Sequence, residues 1–195
     1  MRGQMTTMKY YAIYKPFGML SQFTNSEGVP VLGALHDFPK DVYPIGRLDK
    51  DSEGLLLLTN DNKFKSEILE PKNKLPKTYW VQVDKEITSE AIERLSNASV
   101  VIKHNKKPHL VKPAKCKKIE APNLPERVPP IRYRKNIPTS WIELTIKEGK
   151  NRQVRKMTAA VGFPTLRLVR SKIGKYSLGS LQPGDVVEIE KGNVL

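Results

Sequence analysis

The 195-residue chain has one cysteine, Cys116, so no disulfide can form within it. A lone thiol suits a reducing compartment, and the expected location is the cytoplasm. Long apolar runs are also missing. The longest purely aliphatic stretch is Leu55–Leu58, far short of the roughly 18 residues that span a membrane. Met1–Met8 carry one arginine and no apolar segment, which excludes a secretory signal and reads as a short disordered tail. His104 and His109 lack companion Cys or His residues at metal-binding spacing, so no metal is expected. Neither a G-x-x-x-x-G-K-[ST] loop nor a G-x-S-x-G elbow is present.

Acidic residues are scarce in one half only. Residues 1–100 hold 13 Lys/Arg and 13 Asp/Glu, whereas residues 101–195 hold 21 and 7, so the whole net charge of +14 lies in the second half. Such an excess points to a polyanionic partner, nucleic acid before membrane, since no long basic amphipathic helix accompanies it. A merely basic, soluble surface would give the same composition. A hydrophobic content of 38% over this length supports one domain, or one domain with two lobes.

The pattern alternates too irregularly for a βαβ repeat. Lys9–Tyr14, Val42–Leu48, Gly54–Thr59 and Thr78–Val83 read as strands. Asp61 or Asn62 can cap a helix to Leu69, and Thr88 one through Ser96. Residues 103–118, with seven lysines and no acid, read as a basic strand or hairpin. Seven of fifteen prolines fall in residues 108–138, so an extended loop should follow. Arg127, Arg132, Arg134 and Lys135 with Tyr133 would let that loop lie on nucleic-acid phosphates; a solvated surface loop is an equal reading. Ser140–Lys147 reads as a core strand, and Asn151 as the cap of a helix from Arg152 to Val161, stopped by Gly162. Leu166–Val169 and Asp185–Glu190 complete an α+β fold with a mixed or antiparallel sheet.

The densest information lies in residues 46–61, Gly-Arg-Leu-Asp-Lys-Asp-Ser-Glu-Gly-Leu-Leu-Leu-Leu-Thr-Asn-Asp. Four leucines between Gly54 and Thr59-Asn60-Asp61 suit a short strand buried on both faces. The charged turn before it sets carboxylates at the edge of the core. An ionised carboxylate there can attack carbon or assist glycosidic cleavage if a cation keeps it deprotonated. Spacing alone does not separate Asp49 from Asp51 and Glu53. Arg47 could bind a phosphate or pair with Asp51 or Glu53. In Lys150–Lys156, Lys150, Arg152, Arg155 and Lys156 are basic and open a helix, which suits either an anion-binding turn or a solvated face. Tyr79 sits in an alternating strand and could be core, or could stack on a base.

These segments together resemble the RsuA/RluB/RluE group of RNA pseudouridine synthases. The resemblance is carried by Tyr14-Lys15-Pro16-Phe17-Gly18, by 46–61, by Lys77-Thr78-Tyr79, by Gly149–Met157 and by Gly162–Arg170, and runs from about Lys9 to Ile189. Pro129–Lys135 and Ile137–Trp141 look most like the RluE branch, which acts on large-subunit ribosomal RNA. Lys156 and Asn62 depart from the group's more usual arginine and glycine. The resemblance implies a pseudouridine synthase fold over residues 9–195, with helices flanking the sheet around an active-site cleft. It implies no N-terminal RNA-binding module, since the catalytic motif comes too early for one. It makes Asp49 the catalytic aspartate, Arg155 its ion-pair partner and Tyr79 the residue stacked on the base. Arg47, Lys150, Arg152, Lys156, Arg132 and Arg134 are the expected RNA contacts.

The implied substrate is a uridine flipped out of a structured stem-loop of ribosomal RNA, turned and rejoined through carbon 5 with no cofactor. A monomer is expected. A synthase for small-subunit or other RNA, and a non-catalytic ribosome-assembly protein, are the competing readings.

Overall fold

A computed structural model describes residues 5–73 and 75–195. Half of the expected tail, Met1–Gln4, lies outside the described residues. In chain order the elements are β1 (Tyr10–Lys15), β2 (Tyr43–Pro44), β3 (Glu53–Thr59), α1 (Asn62–Leu69), β4 (Lys77–Asp84), α2 (Ser89–Ser96), β5 (Val101–His104) and β6 (Lys107–Leu110). They continue with β7 (Lys115–Ile119), β8 (Thr139–Ile146), α3 (Gln153–Ala160), β9 (Thr165–Ile173), β10 (Tyr176–Ser177) and β11 (Val186–Glu188). The α+β expectation is met: one mixed sheet runs β11-β1-β3-β9-β4-β8-β7, with β10 on β9 and β2 on β3. The β5–β6 hairpin forms a separate ribbon.

The leucine run lies where the sequence puts it. Every residue of β3 is buried, and Leu55–Leu58 are at most 1% exposed. Alternate leucines feed opposite cores. Leu55 and Leu57 pack with Tyr14, Phe64, Ile68 and Val169, and Leu56 and Leu58 with Ile13, Leu32 and Leu48. A third core, around Val81, Leu95, Leu144, Val154, Met157 and Leu168, holds α2 and α3 on the sheet.

The two sides of the sheet meet at a narrow seam. β1 pairs antiparallel along one edge of β3. The other edge is shared. Glu53 and Gly54 pair parallel with Val169 and Arg170 of β9, while Thr59 and Leu58 pair with Tyr43 and Pro44 of β2. β2 and β9 thus leave β3 like the arms of a fork, and residues 45–52 loop out between them. Gly54 is required at the seam. Its φ is +107°, and a Cβ there would run into the backbone of Arg170.

Three local expectations need correction. The strand read as Val42–Leu48 shrinks to Tyr43–Pro44, because Pro44 lacks a donor and Gly46 turns at φ +70°. The third helix starts at Gln153, and Arg152 rather than Asn151 is its N-cap, left-handed at φ 51° with no side-chain cap. The strand read as Leu166–Val169 extends to Ile173, because it is shared by β3, β4 and β10. The caps of α1 and α2 are as expected: Asp61 accepts from Phe64 N–H and Thr88 from Ala91 N–H.

Candidate active site

The loop from Gly46 to Ser52 is held from below. The buried Ser21 hydroxyl donates to Leu48 O (2.8 Å) and accepts from Leu48 N–H (3.0 Å). Gly18 N–H donates to Lys50 O (2.8 Å), and Ser52 N–H closes the turn on Asp49 O (3.0 Å). Lys15 is fully buried beneath, its ammonium donating to Pro16 O and Met19 O. Burial lowers its pKa to about 8, against the opposing pull of Glu53, Asp51 and Asp49.

The turn's three acids separate cleanly in space. Glu53 is buried and bidentate with Arg167, Nε and Nη2 each donating at 2.9 Å. Asp51 takes two hydrogen bonds from Arg152, at 2.9 and 2.8 Å. Arg152, aided by Arg155, holds the Asp51 carboxyl below its ordinary range. Asp49 is the carboxylate left facing the open cleft, with Arg152 Nη1 3.3 Å away.

That cleft has a volume of about 630 Å³ and lies in the crotch of the fork. Asp49, Arg47, Lys150 and Arg152 line it from the turn and the start of α3, and Tyr79 and Arg170 from the sheet. The Lys77-Thr78-Tyr79 motif opens β4, so Lys77 and Tyr79 project on the same side into the cleft. Tyr79 is 9% exposed and packs in the third core, so it is core and cleft wall at once. Arg47 makes no ion pair among the described residues, since Asp51 and Glu53 are both taken. Opposite, Glu148 is bound by His109 Nε2 (2.9 Å), Lys112 N–H and Gln153, which fixes the loop before α3.

Arg155 sits differently from expectation. Its Nη2 donates to Asp51 O (2.7 Å) and lies 3.6 Å from the Asp51 carboxylate; its side chain is 16% exposed. The guanidinium beside Asp49 belongs to Arg152. The left-handed turn at Arg152 brings that side chain over both aspartates, while Arg155, one turn on, reaches the backbone and carboxylate of Asp51 but forms no ion pair with Asp49. Lys156 is half-buried and does not line the cleft. Arg132 and Arg134 line a separate cavity of about 480 Å³ with Tyr133 and Gln82, and Arg134 is paired with Asp84. From the same loop, the Arg127 guanidinium lies 4.2 Å from the Phe17 ring centre.

Sequence reasoning missed Ser21, Lys77 and Arg170. Arg170 lay inside a matched block, Gly162–Arg170, but only the parallel pairing of β9 with β3 brings it under the turn.

Residues 9–160 match the family model described as RNA pseudouridylate synthase. The chain belongs to this family. Ribosomal large subunit pseudouridine synthase E of Vibrio parahaemolyticus is 48% identical over 189 residues, covering 97% of this chain and 77% of the relative. The protein of the same name from Xanthomonas campestris pv. campestris is 49% identical over 172 residues, covering 87% and 89%. A crystal structure of a pseudouridylate synthase superposes with a TM-score of 0.77 at 26% identity, over 97% of this chain and 73% of that one. The resemblance read from the motifs is thereby shown, together with the pseudouridine synthase fold and the isomerase class.

Proposed function

We propose that the protein isomerises one uridine of large-subunit (23S) ribosomal RNA to pseudouridine, acting as a monomer in the cytoplasm on a structured stem-loop. The observation that carries this reading is the placement of Asp49 on the open cleft, with Arg152 3.3 Å away. It is the acid of the Gly46–Gly54 turn that faces a basic cleft, while Asp51 and Glu53 are consumed by arginines. The near-50% identity to large-subunit enzymes over almost the whole chain supports the choice of RNA.

In this reading the uridine leaves the stack at a cost of a few kcal/mol, offset by phosphate contacts from Arg47, Lys150 and Arg152 at the cleft mouth. The ribose comes to Asp49, and the base enters beside Tyr79. Asp49 acts on the nucleoside as its ionised carboxylate, whether on sugar carbon, base carbon or a sugar proton. Arg152 supplies positive charge at 3.3 Å, and Arg155 acts one step back by fixing the Asp51 backbone.

The test is pseudouridine mapping on unmodified ribosomal RNA transcripts incubated with the protein. One new site in large-subunit RNA is expected. A site in small-subunit RNA alone would overturn the choice of substrate, and RNA binding without modification of any transcript or assembly intermediate would support a non-catalytic role.

A further inference from the structure

Arg170 has a donor with nothing to donate to. Its residue is 6% exposed, at the foot of the fork. Nε is committed: it donates to Leu55 O (2.8 Å), the β3 carbonyl left uncovered where β2 and β9 diverge. Nη2 is buried and unpartnered. A buried guanidinium nitrogen without an acceptor is costly, so a ligand oxygen is its natural complement. The acids nearby lie on other groups: Glu53 on Arg167, Asp51 on Arg152, Asp49 3.3 Å from Arg152 Nη1, and Glu148 on His109 and Gln153. Glu70 is exposed.

Lys77 stands beside it. It lines the same cleft, is half-buried, and has no acidic partner among the described residues. Arg170 pairs with Tyr79 in the β4–β9 ladder, two residues from Lys77 on the same side of β4, and both line the cleft. Burial, and then the Arg170 charge, lower the Lys77 pKa. Both groups only donate. The group they take must therefore be an acceptor.

Depth chooses among acceptors. The Asp49 and Arg152 side chains are each 39% exposed, whereas Tyr79 and Arg170 are under 10%. The ribose must stay by Asp49, and its phosphates lie further out, by Arg47 and Lys150. The deepest donors then meet the edge of the base remote from the sugar.

We infer that Arg170, with Lys77, forms a carbonyl-reading subsite that takes O4 of the flipped uracil and rejects cytosine. Cytosine carries an amino donor at that position, and a buried donor facing a donor is left unpaired. The same subsite serves the product. Turning the freed uracil about its N3–C6 axis exchanges N1 with C5 and O4 with O2. A carbonyl oxygen returns to Arg170 while C5 comes to the sugar. No electrons or atoms beyond those of the base are needed.

This inference rests on the synthase reading, and a binding experiment separates the two. The probe is a stem-loop of the mapped site carrying uridine or cytidine at the target, titrated with wild type, Lys77→Met, Arg170→Gln and Arg170→Lys. Wild type should bind the uridine form about tenfold tighter. Lys77→Met and Arg170→Gln should raise Kd for uridine RNA toward that for cytidine RNA, leaving the latter unchanged, and Arg170→Lys should restore part of the gap. Equal Kd values for wild type, or an undiminished gap in correctly folded variants, would overturn the subsite. Arg170 also ties the seam, so Lys77→Met carries the test alone if Arg170→Gln unfolds. Wild type that discriminates yet makes no pseudouridine would instead contradict the synthase reading.

Discussion

Arg167 and Glu53 form a bidentate ion pair, 7% and 3% exposed, directly beneath the turn that carries Asp49. Arg167 Nη1 also donates to Pro125 O (3.0 Å), so one side chain ties the proline-rich loop to the first residue of β3. Removing one partner of such a pair leaves an uncompensated buried charge. Glu53→Gln or Arg167→Met should each cost about 3–5 kcal/mol in chemical denaturation. The double variant should recover part of that loss; strictly additive losses would refute the coupling.

Gly54→Ala should be among the most damaging single changes. Alanine is strained at φ +107°, and its methyl meets the Arg170 backbone at the seam of two paired residues. A loss of about 3 kcal/mol or more is expected from thermal unfolding. Loss below 1 kcal/mol would mean that the seam gives easily.

Lys15 predicts a pH signature. Its folded-state pKa is about 8, against 10.5 when free. Between those values the unfolded chain holds the proton that the folded one has lost, so stability rises with pH across that window. Below about pH 8 the burial cost is fully present. Wild type should therefore gain on the order of 2 kcal/mol relative to Lys15→Met between about pH 7.5 and 9.5. Parallel pH curves would show that Lys15 titrates normally.

Arg152 and Arg155 should fail in different ways. Arg152 is at the cleft mouth, so Arg152→Ala should weaken RNA binding and lower the slope of log K against log salt by about 1. Arg155 is largely buried and holds Asp51 O, so Arg155→Ala should reduce kcat with little change in that slope. Equal changes in both would remove the distinction.

How much of this was legible in the sequence follows from what is local. The leucine run, the Asp61 and Thr88 caps and the β4 and β8 alternation were readable, because each depends on neighbours within a few residues. The fork was not. Glu53 and Val169 are joined by a two-residue parallel pairing, and no periodicity announces such a contact. The left-handed φ at Arg152 was equally hidden, and with it the exchange of arginines beside Asp49. The motifs singled out Asp49 through resemblance. The structure adds a physical reason, since the two neighbouring acids are already bound.

The most direct measurement is pseudouridine formation in ribosomal RNA by Asp49→Asn and Asp51→Asn, each checked for folding and RNA binding. Asp49→Asn should bind RNA and form none. Asp51→Asn, which frees Arg152, should retain measurable turnover at a reduced rate. Full loss in Asp51→Asn with activity kept in Asp49→Asn would contradict the account.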